Sequence, residues 1–175
     1  MFTTAYRQKG LTLIELLVAI AIMGLMVTIG APAILDALKA NHVKGAAEAS
    51  YFSLQYARSV AIAQGADVDI DFQDGANWCV GVSDGGVCDC TMVNSCTVDG
   101  IEQRVLAADY GNVTVANITF NNQRSVIDSR RGLAIGNAGQ LEFTDGDNTL
   151  RLVLSNLARP RLCVVAGSIS SYEDC

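Results

Sequence analysis

The spacing of apolar positions along this 175-residue chain changes twice. From Leu11 to Leu35 they are almost continuous: 19 of the 25 residues are apolar, and Leu16 to Leu35 carry no charge. As a helix, those 20 charge-free residues span about 30 Å, the thickness of a bilayer core. From Asp36 to Gln64 the chain is rich in Ala, and Ala49, Phe52, Tyr56, Val60 and Ala63 recur at three- and four-residue steps. Together the two stretches predict one helix over about residues 12–64, ended by Gly65, with the apolar stripe of its second half packed on a sheet.

Beyond Gly65 the period becomes two. Val68, Ile70 and Phe72 alternate with Asp67, Asp69 and Asp71, the pattern of a half-buried antiparallel strand. Further strands are expected at 78–82, 113–120, 140–143, 149–154 and 161–165. Turn signals separate them, among them Asp74-Gly75 and the hairpin-like Asp145-Gly146-Asp147-Asn148. A helix followed by strands predicts an α+β domain, one long amino-terminal helix packed on antiparallel sheet.

Composition sharpens this division. The mean hydropathy of +0.30 is high for a soluble protein, but the excess sits in residues 11–35 and the remainder is ordinary for a globular domain. A multi-pass membrane protein, a disordered chain and a wholly soluble cytosolic enzyme are thereby excluded. Arg7 and Lys9 precede the apolar run, whereas Asp36 follows it and no cation appears until Lys39. The positive-inside rule therefore places the start in the cytoplasm and the bulk outside. A secretory signal peptide would have a shorter apolar region.

The six cysteines, Cys79, Cys88, Cys90, Cys96, Cys163 and Cys175, all fall on the outer side, where disulfides are the default. Their spacing lacks the paired CxxC pattern of common zinc sites, and six cysteines allow 15 connectivities. Asp67-Val68-Asp69-Ile70-Asp71 has the look of a calcium loop, but Phe72 and Trp78 stand where such a loop needs Gly and Glu, so an acidic solvent face is the reading. His42, the sole histidine, sits on the helical stem and is read as exposed and structural. It leaves a Ser-His-Asp or Cys-His site without a base, so no enzyme, cofactor or metal is expected.

The residue that does not suit a simple anchor is Glu15, a carboxylate at the edge of the apolar run. Gly10-Leu11-Thr12-Leu13-Ile14-Glu15-Leu16-Leu17 resembles the processing signature of type IV prepilins and type II secretion pseudopilins. The resemblance implies a leader over residues 1–10, cleavage between Gly10 and Leu11 by a prepilin peptidase, and N-methylation of Leu11. It also implies a transmembrane and filament-core helix over 11–35, and a periplasmic or pilus domain over 36–175. Glu15 becomes the fifth mature residue, where the family carries its glutamate, and Pro32 falls where it usually has proline. In a filament, Glu15 would pair with a neighbour's α-ammonium group and set register. Pro32 removes the partner of the Thr28 carbonyl and allows the helix to bend or melt there.

Two further segments narrow the resemblance. Tyr56-Ala57-Arg58-Ser59-Val60-Ala61-Ile62 and Leu152 to Cys163 are similar to elements of GspH-type pseudopilins and FimT/FimU-type minor pilins. This implies a pilin fold, a Cys163–Cys175 pair closing a C-terminal loop, and the other four cysteines stapling residues 79–96. It implies a structural role: a minor pilin that initiates or caps a type IV pilus, or a pseudopilin of type II secretion. The implied partners are other pilins, the peptidase and an inner-membrane assembly platform. The implied location is a single pass in a Gram-negative inner membrane, then a pilus or pseudopilus.

Charge leaves a third reading open. The net charge is −6, but residues 67–109 hold nine acidic residues against Arg104 alone, while residues from 110 onward balance six acids with six arginines. Those arginines (Arg124, Arg130, Arg131, Arg151, Arg159 and Arg161) read as ordinary surface charge or as a patch for nucleic-acid phosphates. Ala158-Arg159-Pro160-Arg161 is similar to the GRxR element of DNA-binding FimT-type pilins, with Ala in place of Gly. DNA is thus a candidate partner through Arg159 and Arg161.

Overall fold

The computed structural model describes residues 12–167, 169 and 171–175, with the side chains of 29–33 left aside. The leader and the Gly10–Leu11 junction lie outside these residues. Helix α1 runs over Leu13–Gln64 and ends where Gly65 takes a left-handed conformation (φ +66°), its N–H donating to the Ala61 carbonyl at 3.1 Å. The helical backbone continues through Pro32.

Two units divide the chain, residues 1–37 and 38–175. In the first, the described apolar side chains of α1 are exposed, from Leu13 (77%) to Val27 (66%). Among the described residues no helix is long and apolar enough to cross a membrane. The charge-free run of the sequence continues through 29–33 to Leu35.

Among the described residues ten strands follow: β1 (Val68–Gln73), β2 (Cys79–Ser83), β3 (Thr97–Val98), β4 (Ile101–Glu102), β5 (Arg104–Leu106), β6 (Thr114–Ala116), β7 (Arg124–Ile127), β8 (Gly139–Thr144), β9 (Thr149–Leu154) and β10 (Pro160–Ala166). They form two four-stranded antiparallel sheets, ordered β5-β2-β1-β7 and β10-β9-β8-β6, and a β3-β4 hairpin. The alternation in β1 is real, with Val68, Ile70 and Phe72 buried and Asp69 and Asp71 half-buried between them. The expected strand over 113–120 shrinks to three residues, and β5 and β7 lie outside every expected strand. Short pieces of three or four residues give too little alternation to be read from spacing.

The core of the second unit joins the helix to both sheets, and here the sequence pattern misleads. The buried face of α1 is Val43, Ala46, Ala47, Ser50, Leu54, Ala57, Val60 and Ala61. Of the stripe expected to pack inward only Val60 is buried; Phe52 is 61% exposed and Tyr56 is 40% exposed. The helix carries apolar side chains nearly all round, so spacing alone does not choose a face. Small side chains are selected inward because they let the sheets approach closely. Against them pack Trp78, whose Nε1–H donates to the Val113 carbonyl at 2.9 Å, and Phe143 edge-on to it at 5.1 Å.

Candidate functional site

Three places in the described chain carry chemistry beyond packing. The first is the start of α1. Thr12 precedes the helix, and its backbone N–H and hydroxyl both donate to Glu15 Oε2 at 3.2 Å. The Glu15 N–H donates back to Thr12 Oγ1 at 3.3 Å. This reciprocal pair is a capping box, and the Thr-x-x-Glu spacing that signals it is visible in the sequence. Glu15 therefore has an intrachain role, capping the helix, besides the intermolecular pairing expected of it.

The second place is the segment from Asp84 to Glu102. Cys79 pairs with Cys90 and Cys88 with Cys96, so the two bridges interlace, while Cys163 pairs with Cys175. Charged side chains seat the crossed loop on the first sheet. Asp71 accepts from the Cys90 N–H at 2.9 Å with one oxygen and from Arg124 Nε at 3.2 Å with the other. Arg104, almost fully buried, donates to the Cys90 carbonyl at 2.9 Å and pairs with Glu102 at 3.0 Å. Glu102 also accepts from the Asn94 N–H, and these donors hold its carboxyl below the usual range. All five residues of β2 are consequently buried, because this loop covers the strand's outer face. Interlacing of this kind cannot be deduced from cysteine spacing.

The third place is the junction between α1 and the β9–β10 turn. Arg58, Ile62 and Tyr51 from the helix and Ala158, Arg159 and Pro160 from the turn line one open cleft of about 460 Å³. Arg161 lines the adjacent hollow with Tyr51, Phe52 and Leu162. Ala158 is fully buried and holds φ +50°, the left-handed conformation that glycine adopts without strain. The turn thus keeps a glycine-like backbone in spite of the alanine.

An Ala158→Gly variant checks that statement: relief of left-handed strain is worth about 1–2 kcal/mol, and the lost methyl costs about 0.8 kcal/mol. Net stabilisation of up to about 1 kcal/mol is expected in denaturant unfolding. A clear loss of stability would contradict the strain.

The structure also sorts the arginines. Arg104, Arg124 and Arg151 are committed to ion pairs, the last with Glu142 at 2.6 Å, where Asn117 holds the other carboxylate oxygen. Arg130 lies near Asp67, whose carboxyl is held low chiefly by hydrogen bonds from Ser129. Among the described residues Arg58, Arg130, Arg131, Arg159 and Arg161 form no ion pair; Arg130 and Arg131 line a hollow with Asp67 and Asp128, away from the β9–β10 turn. Arg58 lies on the helix, a hundred residues in sequence from the turn it faces, so no local spacing joins it to Arg159 and Arg161.

His42 is exposed and lies against the Gly111 turn. In the 145–148 turn, Asp145 accepts from the N–H groups of Asp147 and Asn148 and from the Asn148 amide, so its oxygens serve the hairpin. Among the described residues no group of three or more His, Cys, Asp or Glu could hold a metal ion.

A folded body made of a capped amino-terminal helix and antiparallel sheets can be compared with known proteins. The family described as type II transport protein GspH matches residues 46–158. The chain belongs to the GspH family. A second family description, the prokaryotic N-terminal methylation motif, matches residues 6–31 and so spans Gly10, Leu11 and Glu15.

Among solved structures, the Pseudomonas aeruginosa type IV minor pilin FimU in one crystal form is similar over 70% of this chain and 88% of its own, with TM-score 0.51 and 19% identity. A second crystal form of FimU covers 68% of this chain and 90% of its own, with TM-score 0.47 and 18% identity. No curated protein matches the chain by sequence. The fold is that of the pilins, and the chain is a type IV minor pilin or GspH-like pseudopilin. Families of this kind supply structural subunits, processed as prepilins and assembled with other pilins.

Proposed function

We propose that this GspH-family chain is a minor type IV pilin that helps initiate or cap a pilus. In this reading a prepilin peptidase cuts between Gly10 and Leu11, Leu11 is N-methylated, and residues 11–35 hold the subunit in the inner membrane of a Gram-negative bacterium. The domain over 36–175 stands in the periplasm until an assembly platform extracts the subunit into the filament. The supporting observation is the run of uncovered apolar side chains at the start of α1, headed by Glu15, beside a domain that is already complete. Such a helix needs lipid or other helices around it, and one carboxylate at its head suits a charged partner better than lipid does.

Deleting the gene separates this from the secretion alternative. The expected result is fewer pili with protein secretion intact. Unchanged pili, with the protein captured only among type II secretion components, would assign it to a pseudopilus instead.

The cleft at the β9–β10 turn favours a second reading, a DNA contact. Arg159 and Arg161 both follow Ala158, the residue that gives this turn its glycine-like backbone, and Arg58 adds a third cation without a carboxylate partner. Cations in this state release counterions from a phosphate backbone, so binding should fall steeply with salt. The domain is expected to retard duplex DNA at low salt, and Arg159→Ala with Arg161→Ala is expected to abolish retardation. Absence of salt-sensitive retardation by the unaltered domain would remove this reading.

A further inference from the structure

The two hollows beside the β9–β10 turn form one groove, since Tyr51 and Pro160 line both. One wall comes from α1, with Tyr51, Phe52 and Arg58, and the other from the turn and β10, with Arg159, Pro160 and Arg161. Cations and aromatic rings are thus mixed along it. Phe52 is wholly apolar yet exposed, and its ring stands nearly perpendicular to that of Tyr51, with centroids 5.4 Å apart. The Gln55 amide donates to Tyr51 Oη at 2.6 Å and steadies that ring. Aromatic faces held open beside cations suit a planar ligand that carries negative charge.

Arg58 gives a second, independent sign. Its Nε is buried and donates to no acceptor among the described residues. Buried donors are rarely left so, and an anionic oxygen entering the groove would satisfy this one. Glu48, a carboxylate in the lining, is already engaged: it accepts from the Tyr172 hydroxyl and pairs with Lys44 at 3.8 Å.

A phosphate backbone alone would account for the arginines, but it leaves the rings unexplained. In a duplex the base faces are stacked inside, and only phosphates, sugars and base edges are offered. Its bulk also keeps it outside hollows of about 460 and 320 Å³. A single strand brings both partners at once, phosphates for the arginines and base faces for the rings.

We infer that this groove binds single-stranded DNA, with bases stacked on Phe52 and Tyr51 and phosphates held by Arg58, Arg159 and Arg161. The inference rests on the DNA reading above and narrows it, because a duplex is held through the arginines only and therefore more weakly. Every base has an aromatic face, so little sequence preference is expected.

The test uses the full chain in a nonionic detergent and the fluorescence anisotropy of a labelled oligothymidine of about 12 nucleotides, beside a duplex of the same length. At low salt the single strand is expected to bind about ten-fold more tightly, and both affinities are expected to fall as salt rises. Phe52→Leu keeps an apolar side chain and removes the ring. It is expected to weaken single-strand binding about ten-fold and so to abolish the preference over duplex. Phe52→Trp is expected to keep the preference, and the emission of the new indole is expected to be quenched as bases stack on it. Trp78 is buried and gives a constant background. Arg159→Ala with Arg161→Ala is expected to weaken binding of both forms. Phe52 and both arginines lie at the surface, and near-ultraviolet circular dichroism checks that the fold is kept. A duplex bound as tightly as the single strand, or Phe52→Leu indistinguishable from the parent, overturns the single-strand inference and leaves the DNA reading standing. Salt-sensitive binding of neither form removes both.

Discussion

Glu15→Ala is expected to leave leader processing intact and to remove the subunit almost completely from assembled filaments. In the proposed reading the peptidase acts on the Gly10–Leu11 bond, four residues before Glu15, so the processed band on a gel should persist. Incorporation is different. A new α-ammonium at Leu11 buried among apolar helices without its carboxylate costs about 3 kcal/mol or more, which is roughly a hundred-fold in occupancy.

The capping box supplies a control that separates two roles of the same carboxylate. Glutamine serves at the third helical position of such a box, so Glu15→Gln keeps the cap and loses only the charge. If intermolecular pairing matters, Glu15→Gln is excluded from filaments as strongly as Glu15→Ala. Thr12→Ala removes the cap alone, about 1 kcal/mol, and should reduce incorporation only mildly. A Glu15→Gln subunit that assembles normally would mean that Glu15 acts by capping its own helix.

Gly81→Ala is expected to be a strongly damaging single-methyl addition in the globular domain. Gly81 lies in β2 directly beneath the crossed disulfides, and a Cβ there would stand 2.8 Å from Cys90 Cβ and 2.9 Å from Cys96 Cβ. Neither neighbour can swing aside, because each is tied through sulfur to another anchored residue. Overpacking costs typically 1–3 kcal/mol, and a braced site should fall near about 3, lowering Tm by about 10 °C. Removing the Cys88–Cys96 bridge by paired Ser substitutions frees one neighbour, so the two perturbations should combine to less than their sum. Full additivity, or a Gly81→Ala domain as stable as the parent, would show that the disulfide loop is not seated on β2.

The amino-terminal half of the chain was legible because its signals are local. A charge-free apolar run, the basic residues before it, Glu15 at its edge and Gly65 at the end of the helix each act through their immediate neighbours. The alternation in β1 and the hairpins at β8 to β10 are legible for the same reason. β5 and β7 were not, since strands of three or four residues are defined by the partners they meet. The helix stripe was misread for a related cause: Phe52 and Tyr56 satisfy the helical period as well as Leu54 and Ala57 do.

By itself, then, the sequence determined one long helix with a charge-free apolar start, an α+β body with strands after the helix, and membership of the prepilin class. Only the tertiary structure decided which face of α1 is buried, which cysteines pair, and which arginines are left without carboxylates. These are questions of which distant residues meet. Ala-rich helix faces, interlaced disulfides and ion pairs across strands are selected by how closely whole layers pack, and no local spacing records that distance. Arg58 shows the difference: in sequence it belongs to a helical motif, in space to the cleft of Arg159.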